Sequence, residues 1–533
     1  MKRLVIILVT IFIIGSVSMS GITANAAVIK RYSAKADNNS DGETNGEKKQ
    51  TPQTNGSEDE ILPSKYSSAE LGYTTSVKTQ VGNICWAYSS VSTFETTLLK
   101  NSLFYGDLNV NAIDSWGVTR EDGTGWQRNT SAGGYTSIAT GYFTSWNGPV
   151  TNDDSTTRYG TTQLRYYTKN DKDEVKKAII RTGSVNANYN DIYSGKSADL
   201  TSFYVNSSIT RISGHSISIV GWDDNYSKDY FTGSFKPEND GAWLCKNSWG
   251  NNNSIGGYLW ISYEDYYLLN EEYFDYGFSI ESFQEIKPND YLYQNEEYGA
   301  TYEFKYLGDK KQTFLNVFDF SENGNVLDKV VFESESAGAE YTVYYVPLDN
   351  NEKPVQNRSE WIKLNSGTIN YSGYICADFD DFKVPQRKAA IAVEIDAKNI
   401  SLPCGIGVSE WLKSEGDYNF IFINSSNRGE SFIEYNGEIT DVMDYYKNEK
   451  SDDIGGTLVI KAITNETVVT NIRGDVNIDG VIDINDVTTI QLYLAKLTEF
   501  TFKDQLVNAD FNYDGIININ DATAIQIRLA TGD

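Results

Sequence analysis

QVGNICWAYSS, residues Gln80 to Ser90, decides the reading of this 533-residue chain. Its centre is Cys85. Trp86, Ala87 and Tyr88 follow and open an apolar run through Val91, Phe94 and Leu98 at helical spacing. A cysteine at the start of such a helix feels the positive end of the helix dipole, which lowers a thiol pKa and improves the nucleophile. A thiolate needs an imidazole to carry protons, and the chain has one histidine, His215. It lies 130 residues after Cys85, and Asn247 follows 32 residues later.

The flanking blocks extend the pattern. His215 lies in GHSISIVGWDDNY (Gly214 to Tyr226). Asn247 lies in WLCKNSWG (Trp243 to Gly250), followed by GGYLWISY (Gly256 to Tyr263). SAGGYTSIATGYFTSWNGPV (Ser131 to Val150) is led by a glycine pair. Together with the cysteine block these resemble the papain-like cysteine peptidases, over roughly residues 62–278. Leu62 to Gln80 resembles the leading strand of the mature enzyme, and Lys176 to Asn190 a helix followed by a barrel strand.

The resemblance implies a multidomain α+β chain with a two-lobed peptidase: a helical left lobe built on the helix from Cys85, and a β-barrel right lobe carrying His215 and Asn247. It implies Cys85 as nucleophile, His215 as general base and acid, Asn247 as the residue orienting the imidazole, and Trp249 as a shield over that bond. The oxyanion hole would combine the Cys85 backbone N–H with the Gln80 side-chain amide. Gly133 and Gly134 would bind an extended polypeptide substrate through their backbone, or else form a simple turn. Cys245 reads as core. Asn83 stands where the family usually has glycine, and Gln80 precedes Cys85 by five residues where six is usual. Two readings follow: an active endopeptidase, or a weak or inactive homologue that binds peptides, proteins or carbohydrate.

The formal net charge is −28. Such an acidic chain argues against nucleic-acid binding and suits an extracellular protein. Residues 1–26 read as a secretory signal: Lys2 and Arg3, an apolar stretch too short to span a bilayer, then Ala24-Asn25-Ala26. No membrane span is expected after its removal. Residues 27–61 are polar and lack the amphipathic period of an inhibitory prosegment, so they read as a disordered linker. The peptidase takes residues 62–284.

Residues 285–465 change to short alternating strands, such as YTVYYVPL (Tyr341 to Leu348), YICADF (Tyr374 to Phe379) and AAIAVEI (Ala389 to Ile395), which suggest a β-sandwich. The layout is similar to the lectin-like domain that accompanies some bacterial papain-type peptidases. It leaves two roles open, a packing spacer or a glycan binder. A disulfide between Cys376 and Cys404 is equally open.

Residues 471–533 contain a repeat: DVNIDGVIDINDVTTIQLYLAK from Asp475 and DFNYDGIININDATAIQIRLAT from Asp510 share 13 of 22 positions. Each copy has the oxygen spacing of a Ca²⁺ loop, with glycine at position 6. The ligands are Asp475, Asn477, Asp479, Val481, Asp483 and Asp486, then Asp510, Asn512, Asp514, Ile516, Asn518 and Asp521; Val481 and Ile516 contribute carbonyls. A helix should follow each loop, its apolar face formed by Val487, Ile490 and Leu494, then by Ala522, Ile525 and Leu529. The tandem closely resembles a type I dockerin. That implies two Ca²⁺ ions and docking to a cohesin domain of a scaffoldin, hence a secreted, cell-surface or cellulosome-like setting.

Overall fold

The computed structural model describes residues 62–531, except 288–289, 300–301, 305–310, 321–325, 397–403, 409, 416–417, 424–425, 450–455, 466–472, 478–480, 499 and 501–502. The signal and linker expectations at residues 1–61 lie outside the described residues. Among these, no helix is long and apolar enough to cross a membrane.

The left lobe is built on the helix Cys85–Lys100. Ala87, Val91, Phe94 and Leu98 recur every three or four residues and are buried against Ile113, Ile138 and Phe143. Full burial of Phe94 and Leu98 is worth about 2 kcal/mol each. The helix ends at Asn101, whose backbone N–H returns to the carbonyls of Thr97 and Leu99, with Lys100 in the last turn. Helices Val110–Trp116 and Thr136–Thr144 complete the lobe.

The right lobe is mainly β. The strand Gly214–Asp223 carries His215 and pairs on one side with Val185–Asn190, on the other with Ala242–Lys246, which leads to Asn247. The helix Lys172–Thr182 packs its Val175, Ala178 and Ile179 under this sheet. Thus the histidine, the asparagine and the cysteine reach one cleft from three separate elements.

The strands foreseen from Tyr341, Tyr374 and Ala389 form, as Glu340–Pro347, Gly373–Lys383 and Lys388–Asp396. They belong to two layers. One is a six-stranded sheet with Lys388–Asp396 between Glu340–Pro347 and Lys311–Asp319. The other comprises Asp290–Gln294, Ile460–Asn465, Val326–Ser334 and Gly373–Lys383. Phe314, Val343, Tyr345, Ile391, Val393, Phe332 and Ile460 fill the space between them.

That second layer does not stop at the sandwich. Gly373 and Tyr374 pair with Arg165 and Leu164 of the right-lobe strand Tyr159–Tyr167, giving one 12-stranded sheet. Gly373 has φ +138°, and a Cβ there would lie 2.2 Å from the Leu164 carbonyl oxygen, so only glycine permits this approach. A second bridge joins Trp126 of the left lobe to Phe422 in the hairpin strand Tyr418–Ile423. Cys376 and Cys404 are not joined by a disulfide: they stand on different sheets, in register with Val331 and Phe304.

The C-terminal unit has helices Ile484–Leu494 and Ile519–Thr531, with a third, Lys503–Ala509, between the repeats. Val487, Ile490, Ala522 and Ile525 form its small core with Val476 and Ala509. Leu494 and Leu529 are exposed instead, one turn beyond the core residues Ile490 and Ile525.

Candidate active site

Cys85 is the first residue of its helix. Ile84 supplies no side-chain cap, and the first turn has no acidic residue, so the positive helix end acts on the sulfur unopposed. Burial alone would push the thiol pKa up. The His215 charge, a His215 hydrogen bond and the backbone N–H groups of Ser216 and Trp86 outweigh burial and hold it below its ordinary value. His215 shows the mirror effect. Burial lowers its pKa, but Cys85, Asp191 and the Asn247 hydrogen bond together raise it above the usual imidazole value. Both displacements favour a thiolate beside an imidazolium.

His215 Nε2–H donates to Asn247 Oδ1 at 2.9 Å, leaving Nδ1 for the sulfur. The same Oδ1 accepts from the Ser248 backbone N–H at 2.8 Å, which fixes the amide. Trp249 stacks on the imidazole with ring centroids 4.7 Å apart and planes at 28°. Gln80 is strapped to the asparagine segment: its backbone N–H donates to the Ser248 carbonyl at 2.7 Å, and its Oε1 accepts Ser248 Oγ–H at 2.6 Å. One Nε2 hydrogen goes to the Gly82 carbonyl at 3.0 Å. The structure therefore gathers Cys85, His215, Asn247 and Trp249, with Gln80 against Ser248 on the asparagine side.

Gly133 and Gly134 lie on the wall beside Trp86. A Cβ on Gly134 would come within 2.6 Å of the Trp86 indole, so this glycine is required by packing against the residue after Cys85. The Gly133 carbonyl accepts Arg128 Nε–H at 2.8 Å. Arg128, buried and stacked over Trp86, also donates to the carbonyls of Asp114, Gly117 and Ala132 and to Asp114 Oδ1 at 2.6 Å. Ser131 N–H donates to Asp114 Oδ2, and the Ser131 carbonyl accepts Asn83 N–H of the loop before Cys85 at 2.9 Å. Beneath the helix, Glu95 is fully buried and binds Lys78, Thr75 and the Leu108 backbone.

Sequence reasoning missed Arg128, Asp114 and Glu95, and also Asp191 and Lys196 beside the histidine. None belongs to a motif. A charged residue inside an otherwise apolar helical face, as Glu95 is, was the one usable signal.

Cys245 is buried on the strand before Asn247, where burial pushes its thiol well up; it is core.

In the C-terminal repeats, Asp486 closes the first loop by accepting the backbone N–H groups of Val476, Asn477 and Asp483. Asp521 does the same for Asn512 and Asn518 in the second. Asp479 lies outside the described residues. Among those described, no three His, Cys, Asp or Glu side chains already converge as a metal cage. The oxygen-only donor set fits a hard cation. So does Asp510 Oδ1, at the first loop position, which is buried without a hydrogen-bond partner.

The comparisons agree with this architecture. A lectin-like domain family matches residues 292–464, and a dockerin type I domain family matches residues 473–530. The chain is similar to the clostridial cysteine protease Cwp84 after propeptide cleavage, with 33% identity and a TM-score of 0.66, over 76% of this chain and 99% of that one. It is similar also to the cysteine protease and lectin-like domains of Cwp84, a surface layer associated protein of Clostridium difficile. There the identity is 32% and the TM-score 0.64, over 76% and 89% of the two chains. No curated protein sequence matches the chain significantly.

Proposed function

The chain belongs to the papain-like cysteine proteases that carry a lectin-like domain, the family of Cwp84, and on that premise we propose that it is a secreted endopeptidase held on a cohesin-bearing complex by its dockerin. The observation that carries the catalytic reading is the hydrogen-bonded Cys85–His215 pair with His215 Nε2 on Asn247.

The Cys85 thiolate attacks a peptide carbonyl carbon, forming a C–S bond and an oxyanion. The Cys85 N–H and the second Gln80 Nε2 hydrogen stabilise that charge as it develops. The imidazolium gives its proton to the leaving amine, and the C–N bond breaks. Water, deprotonated by His215, then attacks the acyl-enzyme; the thiolate leaves and His215 is again protonated. Asn247 and Trp249 keep the imidazole in line. The backbone of Gly133 and Gly134 flanks the extended substrate.

Peptidyl-epoxide labelling tests this. Rapid modification at Cys85, lost in His215→Ala, and turnover of a protein substrate, lost in Cys85→Ala, are expected. A folded chain that neither labels nor cleaves overturns the reading and leaves a peptide-binding homologue.

Ca²⁺ in the dockerin would be held by Asp475, Asn477, Asp479, Asp483 and Asp486 with the Val481 carbonyl, and by Asp510, Asn512, Asp514, Asn518 and Asp521 with the Ile516 carbonyl. It would neutralise acidic groups that otherwise repel one another and so let the two loops fold. Removal of residues 1–26 and export place the enzyme outside the cell, and a mature N-terminus at Ala27 checks this.

A specific observation favours glycan binding by the sandwich. The outer face of its six-stranded sheet carries a concavity of 570 Å³ lined by Lys311, Thr313, Tyr344, Arg358, Glu394 and Glu434. Two cations and two carboxylates cancel there, and Arg358 is locked over Trp361 at 3.9 Å while donating to Thr313 at 2.9 Å. A fixed, charge-balanced array beside an aromatic ring suits the hydroxyls of a neutral saccharide. The Cys85→Ala chain should be retarded on a neutral polysaccharide, and Arg358→Ala should abolish that; no retardation on any such polymer removes the role.

A further inference from the structure

The imidazole is enclosed by groups that no motif announces. Tyr189 stands opposite His215 in the strand pair, and its ring meets the imidazole edge-on with centroids 5.7 Å apart. Asp191 follows two residues later. Its backbone N–H donates to the Ser213 carbonyl at 2.8 Å, pinning it beside the start of the histidine strand. Its Oδ1 accepts the Tyr189 hydroxyl at 3.0 Å, and its Oδ2 accepts Lys196 Nζ at 2.9 Å. The Lys196 ammonium lies 4.3 Å from the centre of the Trp249 ring, which stacks on His215.

Two lines of contact therefore run from one carboxylate to the same imidazole. One passes through Tyr189, the other through Lys196 and Trp249. Both Asp191 and Lys196 are largely buried, with side chains 14% and 17% exposed, so solvent screens their charges weakly.

We infer that Asp191 is a positioning residue for the imidazole, holding both of its aromatic walls and placing a negative charge, balanced by Lys196, beside it. The inference rests on the reading of Cys85 and His215 as the catalytic pair. The charged and titratable groups around the ring are Cys85 from the nucleophile helix, Tyr189 and Asp191 from the neighbouring strand and its loop, and Lys196. Cys245 and Asp265 act on Tyr189.

The two charges have opposite consequences. Asp191 favours the imidazolium and contributes to the raised His215 pKa. The active pair exists above the Cys85 pKa and below that of His215, so activity ends on the alkaline side when His215 loses its proton. Asp191→Asn lowers that upper limit. Lys196→Met removes a positive charge, leaves Asp191 unbalanced and raises it. Each shift should be about half a unit or more, at the low end for a charge this close because the other charge partly cancels it.

The test is kcat/KM against pH for a fluorogenic peptide, using the full chain and its Asp191→Asn, Asp191→Glu, Lys196→Met and His215→Ala variants. The expected result is an alkaline limb moved down in Asp191→Asn, up in Lys196→Met, and close to wild type in Asp191→Glu. Absence of His215-dependent turnover in the wild type refutes the catalytic reading itself. A normal wild-type profile, with variant limbs that coincide with it or move in the same direction, refutes the role of Asp191. Lys196→Met, at the edge of the cluster, keeps the test decisive should Asp191→Asn fail to fold.

Discussion

Replacing Arg128 with methionine should separate the Gly133–Gly134 segment from the helix that begins at Cys85. All five guanidinium donors are used: four go to the backbone carbonyls of Asp114, Gly117, Ala132 and Gly133, and one to Asp114 Oδ1. The Arg128 and Asp114 side chains are 1% and 5% exposed. Methionine fills much of the volume but leaves the Asp114 charge buried without its cation, a loss of about 3–5 kcal/mol. That is a large part of an ordinary domain stability of about 5–15 kcal/mol. Arg128→Lys keeps the charge but offers three donors, so at least two bonds are lost, about 2 kcal/mol. Adding Asp114→Asn to Arg128→Met removes the orphaned charge and should recover about 1–3 kcal/mol. The assay is a urea titration followed by epoxide labelling of Cys85, which reports the peptidase part. Midpoints should fall in the order wild type, Arg128→Lys, Arg128→Met, with partial recovery in the double variant. In native buffer, displacement of Gly133 should raise KM for a peptide about tenfold or more, with a smaller change in kcat. An Arg128→Met chain within about 0.5 kcal/mol of wild type, or a double variant less stable than either single one, refutes the reasoning.

Gln80→Glu keeps the acceptor for Ser248 and loses the oxyanion donor, so kcat should fall on the order of 10²-fold with KM little changed; a loss of less than about threefold ends the oxyanion role. Chelation of Ca²⁺ should abolish the helicity of residues 473–531 and cohesin binding while epoxide labelling of Cys85 continues; helices that survive chelation contradict the loop assignment. Gly373→Val forces a Cβ against the Leu164 carbonyl, so calorimetry should show the peptidase and sandwich losing stability together. A shift confined to one of them argues against the shared sheet.

The cleft was legible because Cys85, His215 and Asn247 each sit in a block whose neighbours also serve the site. Trp86 supports the wall, Ser248 holds Gln80 and Trp249 covers the imidazole. The supporting charges were not, because Asp114, Arg128, Asp191 and Lys196 act through contacts that appear only after folding. Arg128 in sequence is one arginine among polar loop residues; in space it is the hub of five bonds. Strand alternation revealed Tyr374 to Phe379, within the strand Gly373–Lys383, without indicating its partner. Its pairing with Arg165, 208 residues earlier, depends on one glycine at one bend. The dockerin helices were found from the repeated loops and the apolar period that follows each, which could not show that Leu494 and Leu529 stay exposed.

The shared sheet also gives the molecule a mechanical character. The dockerin match begins at residue 473, so a pull on that unit would reach the rest of the chain through the strand Ile460–Asn465. Asp290–Gln294 and Val326–Ser334 flank it on both sides. A strand loaded lengthwise between two partners yields in shear: the hydrogen bonds on both flanks bear the force together and cannot be peeled away one at a time. Beyond Val326–Ser334 the same sheet continues through Gly373–Lys383 and Tyr159–Tyr167, so several strands separate Ile460–Asn465 from the histidine strand. Were the dockerin held by a cohesin, as proposed, a tug on it would meet a strand paired on both sides before it met the cleft.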